Sequence, residues 1–238
     1  KRIGRALAEA LGEDGWSVAV HYRSSAAGAE ETVAAIEAAG GHGVTVQGDL
    51  TEEKDLKAII PAAADKLGGP LTLLVNSAST FEDDTARDHN RQQWDHHFDA
   101  NLRAPIALSQ AFANALPKDA KGLIVNLIDQ RVWKLNPQFF TYTLSKASLL
   151  TATKTLAQAL APNIRVNGIG PGPTLQSVHQ SDEEFEAEKR ATLTEEGSRP
   201  EEIVRALRYL IEADSVTGQM IATDGGQHLM WQTPDTQI

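Results

Sequence analysis

The chain of 238 residues contains no cysteine, two methionines and an aromatic content of 5%. The missing cysteine excludes disulfides, thiol nucleophiles and thiolate metal sites, and it agrees with a cytoplasmic, reducing location. No apolar run approaches the roughly 20 residues needed to cross a bilayer, so no membrane partner is expected. Positive charge is the scarcer sign: 22 Lys and Arg stand against 32 Asp and Glu, a formal charge of −10. An acidic surface repels phosphate backbones, which argues against nucleic acid as a partner. What remains is ordinary for a globular protein, with 41% hydrophobic and 23% charged residues, in a chain long enough for one α/β domain over residues 1–238.

Short apolar runs alternate with longer helical patterns, the signature of βαβ units around a parallel sheet. Strands are expected at Trp16–Tyr22, Val44–Asp49, Leu71–Asn76, Leu123–Asp129, Ile164–Ile169 and Gln219–Thr223. These runs are rich in Val, Ile and Leu throughout, as expected where both faces of a sheet are covered. Helices are expected at Ala27–Ala39, Glu52–Leu67, Arg91–Ala115, Tyr142–Leu160 and Pro200–Glu212. Lys1 to Leu11 already reads as a helix with Ile3, Leu7, Ala8, Ala10 and Leu11 on its apolar face, so upstream residues are expected. The least regular stretch, Thr174–Ser198, holds the acidic run Asp182, Glu183, Glu184, Glu186 and Glu188. It reads as a solvated helix, or as a lid over a cleft.

Tyr142-Thr-Leu-Ser-Lys146 places a phenol and an ammonium on one helical face. A cation there is expected to draw the phenol toward ionisation and acid–base work. Alone the spacing is common, but it has company. Asn76-Ser-Ala-Ser79 closes a strand, Asn101 lies in a long helix, Pro171-Gly-Pro-Thr174 follows the next-to-last strand and Asp224-Gly-Gly226 closes the last. In this order and spacing the motifs resemble the short-chain dehydrogenase/reductase family over essentially the whole chain. The resemblance implies a Rossmann-type doubly wound parallel sheet whose first strand and most of whose glycine-rich loop precede Lys1. Gly4 matches the last glycine of that loop, and Arg2 stands where its middle glycine usually falls. It also implies a homo-oligomer, commonly a tetramer built on the two long central helices.

NAD-binding Rossmann units end the second strand on Asp or Glu, which accepts from the ribose hydroxyls. Here the strand ends His21-Tyr22-Arg23-Ser24 without a carboxylate. A guanidinium can instead grip the extra phosphate of NADPH, so Arg23 and Ser24 are the expected clamp. From the resemblance, the cofactor groove comprises Arg2, Ile3, Tyr22, Arg23, Ser24, Asp49, Leu50, Asn76, Ala78, Ser79, Tyr142, Lys146, Pro171, Gly172 and Thr174, with Asp49 facing the adenine. Lys146 would hold the ribose, and Asn101 would support a water near it.

Most members carry a serine thirteen residues before the tyrosine, where this chain has Asp129. An ionised aspartate only accepts hydrogen bonds, and its charge opposes phenolate formation at Tyr142. Such a pair suits a substrate with ring nitrogens to protonate. Pteridine reductases share the substitution, and Arg2, the stretch His21-Tyr-Arg-Ser and the loop Asn76-Ser-Ala-Ser-Thr-Phe81 also agree with them. The expected substrate site is therefore Arg2, Ser79, Phe81, Asp129 and Tyr142, with Phe81 covering a pterin ring. Stacking of that kind gains about 1–3 kcal/mol per face, as for bases on aromatic side chains. A general carbonyl or 3-oxoacyl reductase and a catalytically silent NADP-binding regulator remain as alternatives. His89, His96 and His97 lack a third ligand at metal spacing, so no metal site is expected. Trp94 and Phe98 are expected to pack one helical face, and Trp133 is a candidate to line the cleft.

Overall fold

The computed structural model describes residues 2–176, 180–233 and 235–236. Strands and helices alternate: α1 (Arg2–Glu13), β1 (Ser17–Tyr22), α2 (Ala26–Ala38), β2 (His42–Gln47), α3 (Glu53–Leu67), β3 (Leu73–Asn76), α4 (Arg91–Phe98), α5 (Ala104–Ala115), β4 (Gly122–Leu127), α6 (Phe140–Leu160), β5 (Ile164–Pro171), α7 (Asp182–Arg190), α8 (Pro200–Glu212) and β6 (Met220–Thr223). Every ladder is parallel, in the orders β1-β2 and β3-β4-β5-β6. The ladder is interrupted between β1 and β3, yet Val18 of β1 and Leu73 and Val75 of β3 pack against one apolar cluster. Lys1 lies outside the described residues.

Strand β4, Gly-Leu-Ile-Val-Asn-Leu, is buried along its whole length because helices cover both sides of the sheet. Leu123, Val125 and Leu127 point into a core shared with α1 and α8, while Ile124 points into one shared with α3, α5 and α6. Alternation along one strand thus sends its side chains into two different layers. Arg165 fastens α8 to the sheet: its guanidinium donates to the carbonyls of Leu210 (2.8 Å), Ile211 (3.1 Å) and Val216 (3.3 Å). A cation at the carbonyl end of a helix satisfies acceptors that have no intrahelical donor.

Two expectations change. The helix foreseen at Arg91–Ala115 is divided by a π-helical turn, Asp99–Arg103, which carries the buried Asn101. Such turns redirect a side chain without ending the helix, and they recur at functional sites. The strand foreseen to reach Asp129 ends at Leu127, because the carboxylate of Asp129 turns back to accept the N–H of Arg131 (2.8 Å) and starts a short 3₁₀ turn, Gln130–Val132. The acidic stretch forms α7, closed by a capping box between Ser181 and Glu184 and with no buried residue, which agrees with a solvated helix. Residues 177–179 of the irregular stretch lie outside the described residues.

Candidate active site

The carboxyl ends of β3, β4 and β5 gather the motifs into one region. Asn76 closes β3 by donating from its side chain to Asn126 of β4 (2.8 Å), and Asn126 donates to Thr153 of α6 (2.9 Å). This buried amide chain locks the strand ends to the helix that carries Tyr142 and Lys146. The Tyr142 hydroxyl donates to Asp129 Oδ2 at 2.8 Å. One turn along α6, Lys146 donates to the Leu127 carbonyl at 2.8 Å and is only 2% exposed.

Burial dominates the electrostatics. It raises Tyr142 well above 10, with the neighbouring Asp129 charge and hydrogen bond acting in the same direction. It raises Asp129 as well, against the opposing hydrogen bonds of the Arg131 N–H and Tyr142 and the charges of Arg131 and Lys146. It lowers Lys146 from 10.5 to about 8, with Asp129 pulling the other way. The expectation that Lys146 draws the phenol toward ionisation is therefore corrected. The ammonium sits 5.8 Å from the ring centre and is engaged by a backbone carbonyl, so burial, and after it Asp129, governs the phenol. The picture of Asp129 as an ever-ionised acceptor shifts too, since a carboxyl withdrawn from water holds its proton more readily. Tyr142 is a neutral donor, paired with a carboxyl able to take or give a proton.

The expected substrate side also assembles. Phe81 is exposed on one side, stacks on Phe139 (4.2 Å between ring centres) and meets Tyr142 edge-on (4.7 Å). Phe139 opens α6 in the left-handed region at φ 52°, a conformation costing roughly 1–2 kcal/mol outside glycine, so the surrounding packing must hold it. The Arg131 guanidinium lies 5.0 Å from the centre of the same ring. Ser79 donates to Asn101 (3.0 Å), and a hydrogen bond from its side chain acts to lower Tyr142. Arg2 donates to the Leu175 carbonyl (2.6 Å), beside the Pro171–Thr174 loop. The Asn101 side-chain amide grips the Thr80 N–H (2.9 Å) and carbonyl (3.0 Å) and donates to Ser145 (3.1 Å).

The expected cofactor side lies at the ends of β1 and β2. Arg23, Gln47, Gly48, Asp49 and Asp55 line one cavity there; Ser24 is exposed nearby but is not among its walls. Asp49 accepts from the N–H (2.9 Å) and the hydroxyl (2.8 Å) of Thr51. Tyr22 and Leu50 flank that edge, half-buried, and Ile3 packs into the core beneath α1. Ala78 lies exposed on the loop after β3. At the end of β5, a Cβ on Gly172 would come within 2.7 Å of the Asp224 backbone, and Thr174 turns its hydroxyl onto the Gly172 carbonyl (3.0 Å).

Sequence reasoning missed Asp84, His97, Phe139 and Thr141, which surround Tyr142 and Phe81. One signal was available: His97 precedes Asn101 by four residues, so both lie on one helical face. Trp94 and Phe98 stack at 4.5 Å as expected of a shared face. Trp133 stands 45% exposed against His228 (5.0 Å).

This sheet, with a Tyr-Lys helix beneath its carboxyl edge, defines an oxidoreductase fold, and the chain belongs to the short-chain dehydrogenase/reductase family. A family model described as enoyl-(acyl carrier protein) reductase matches residues 1–228. The 3beta-hydroxysteroid dehydrogenase 1 of Eggerthella lenta is 33% identical, covering 96% of this chain and 90% of that protein. Glucose 1-dehydrogenase 2 of Bacillus subtilis is 32% identical, covering 96% and 92%. Among solved structures, FolM alternative dihydrofolate reductase 1 from Brucella suis in complex with NADP superimposes with a TM-score of 0.95 at 48% identity, covering 99% of this chain and 94% of that one.

Proposed function

We propose that this chain is an NADPH-dependent reductase of a pterin or dihydropterin ring. The observation that carries the reading is the 2.8 Å hydrogen bond from Tyr142 to Asp129, a proton-holding pair in place of the neutral serine that carbonyl substrates use. The 48% identity to the Brucella suis enzyme supports it.

The residues present fit the cofactor. Arg23, exposed at the cavity mouth, has no ion pair among the described residues and offers its guanidinium to a phosphate. At Gly172 the loop after β5 runs too close to Asp224 to admit a Cβ, which holds the Pro171–Thr174 loop near the end of the sheet. In this reading Arg23 and Ser24 hold the 2′-phosphate, Asp49 and Leu50 border the adenine, Asn76 and Lys146 hold the ribose side, and Pro171, Gly172 and Thr174 flank the nicotinamide. NADPH supplies the hydride. Tyr142 gives a proton to a ring nitrogen, and Asp129 replaces it through the bond they share. Lys146, cationic below about pH 8, offsets the charge left on that pair. Phe81 offers its open face to the pterin, and Ser79 and Arg2 border it. The family resemblance adds a cytoplasmic homotetramer, which light scattering would test.

Replacing Asp129 by Ser tests the reading. Pterin turnover is expected to fall by the roughly 10²–10⁴-fold typical of a lost acid–base group, with NADPH affinity retained and simple ketone or quinone reduction preserved or improved. Undiminished pterin turnover in the variant would leave the general carbonyl reductase as the better description.

A further inference from the structure

Phe81 is held from both sides by one helix. Asn101 grips the backbone of Thr80, immediately before it. One turn earlier, His97 Nε2 accepts the N–H of Glu82, immediately after it, at 3.1 Å. The other nitrogen of His97 lies 2.7 Å from the hydroxyl of Thr141, the residue next to Tyr142. That hydroxyl in turn donates to Asp84 Oδ2, and the Thr141 N–H donates to Asp84 Oδ1 at 3.0 Å. His97 and Thr141 are fully buried and Asp84 is 3% exposed, so the bonds among these three lie in the low-dielectric interior, where each is strengthened.

The direction of the chain is determined by its ends. A backbone N–H can only donate, so Nε2 of His97 must be the bare nitrogen. The proton therefore sits on Nδ1 and is donated to Thr141, whose own proton is left for a group that accepts. Asp84 is that group, and an ionised carboxylate accepts both bonds at once. Burial lowers the proton affinity of His97, against the charges of Asp84 and Glu82 and alongside that of His96, which favours the neutral ring.

We propose that His97 is a positioning residue: as the neutral Nδ1–H tautomer it holds Phe81 against Tyr142, and the Asp84 carboxylate sets the direction of every bond in the chain that does so. The proposal deepens the substrate site described above and borrows from it only the nature of the ring that lies on Phe81.

Two measurements test it. Nitrogen-15 NMR of the full chain with labelled histidine should show His97 at pH 7 with a pyrrole-type Nδ1 and a pyridine-type Nε2; the opposite tautomer, or an imidazolium, would overturn the proposal. Thr141→Val, which leaves the Nδ1–H without an acceptor, should raise KM for a dihydropterin about tenfold, the worth of one buried hydrogen bond, while kcat and the NADPH dissociation constant change by less than about threefold. Thr141→Ser, which restores the hydroxyl, should recover most of that loss. Equal losses in kcat and NADPH affinity, or no recovery with serine, would mean that the chain only supports the fold. Should the wild-type enzyme reduce no pterin, the functional reading fails, whereas the tautomer and the same KM comparison with a small quinone still decide this inference.

Discussion

At the scale of single residues, the charged groups of the site divide between water and the interior. Arg23 stands exposed at the mouth of its cavity, and its role is therefore open to a direct test. Arg23→Ala should raise KM for NADPH by about ten- to a hundredfold, the roughly 1.5–3 kcal/mol of a charge-assisted bond, and leave KM for NADH near its starting value. Steady-state kinetics with the two cofactors would measure this, and equal losses with both would make Arg23 a structural residue. Asp129 and Tyr142 illustrate the opposite case, in which withdrawal from water raises both groups and makes the pair a store of protons.

Among the elements, α6 and α8 are fixed by side chains reaching in from elsewhere, whereas α4 and α7 carry their own side-chain caps. No capping side chain serves the start of α6, whose first residues are tied instead to Asp84 on the loop after β3. The end of α8 depends in the same way on Arg165 from β5. Replacing Arg165 by Met should leave three carbonyls short of a donor and cost about 1–3 kcal/mol, or roughly 2–10 °C in Tm. Because α8 packs beneath the sheet, away from the gathered carboxyl ends, the KM values should stay close to wild type in the same preparation. A variant that lost activity without losing Tm would contradict that separation.

Across the whole molecule, the buried Lys146 gives stability a distinct pH dependence. Its folded value of about 8 lies below the ordinary 10.5, so between these values the unfolded chain binds the proton and the folded chain does not. Stability on this account rises as pH increases from about 8 toward 10.5, and below that window the buried ammonium costs on the order of 3 kcal/mol. Lys146→Met removes the cost, so without cofactor it should melt higher than wild type at pH 7, and the difference should narrow by pH 10. Thermal unfolding of both proteins across that range would check the sign. The imidazoles of His21 and His97, lowered by burial, act at the other end: protonation of the unfolded chain removes their contribution as pH falls through about 6.5.

The order of strands and helices and the two-sided burial of the sheet were legible in the sequence from local periodicity, and the gathering of Asn76, Asp129, Tyr142 and Lys146 from the resemblance of their motifs to the short-chain dehydrogenase/reductase family. The family position thirteen residues before the tyrosine pointed to Asp129 as the partner of Tyr142, and the structure brings them into hydrogen-bonding contact. Three things were decided only by the tertiary structure. The π-helical turn at Asp99–Arg103 has no local signature, since it answers the need of Asn101 to reach Thr80 across space. The direction of the Tyr142 shift depends on how much water is excluded, which no spacing encodes. The links from Asp84 and His97 to Thr141 join residues 57 and 44 positions apart, so each looked like an isolated polar residue until folding buried it beside the others.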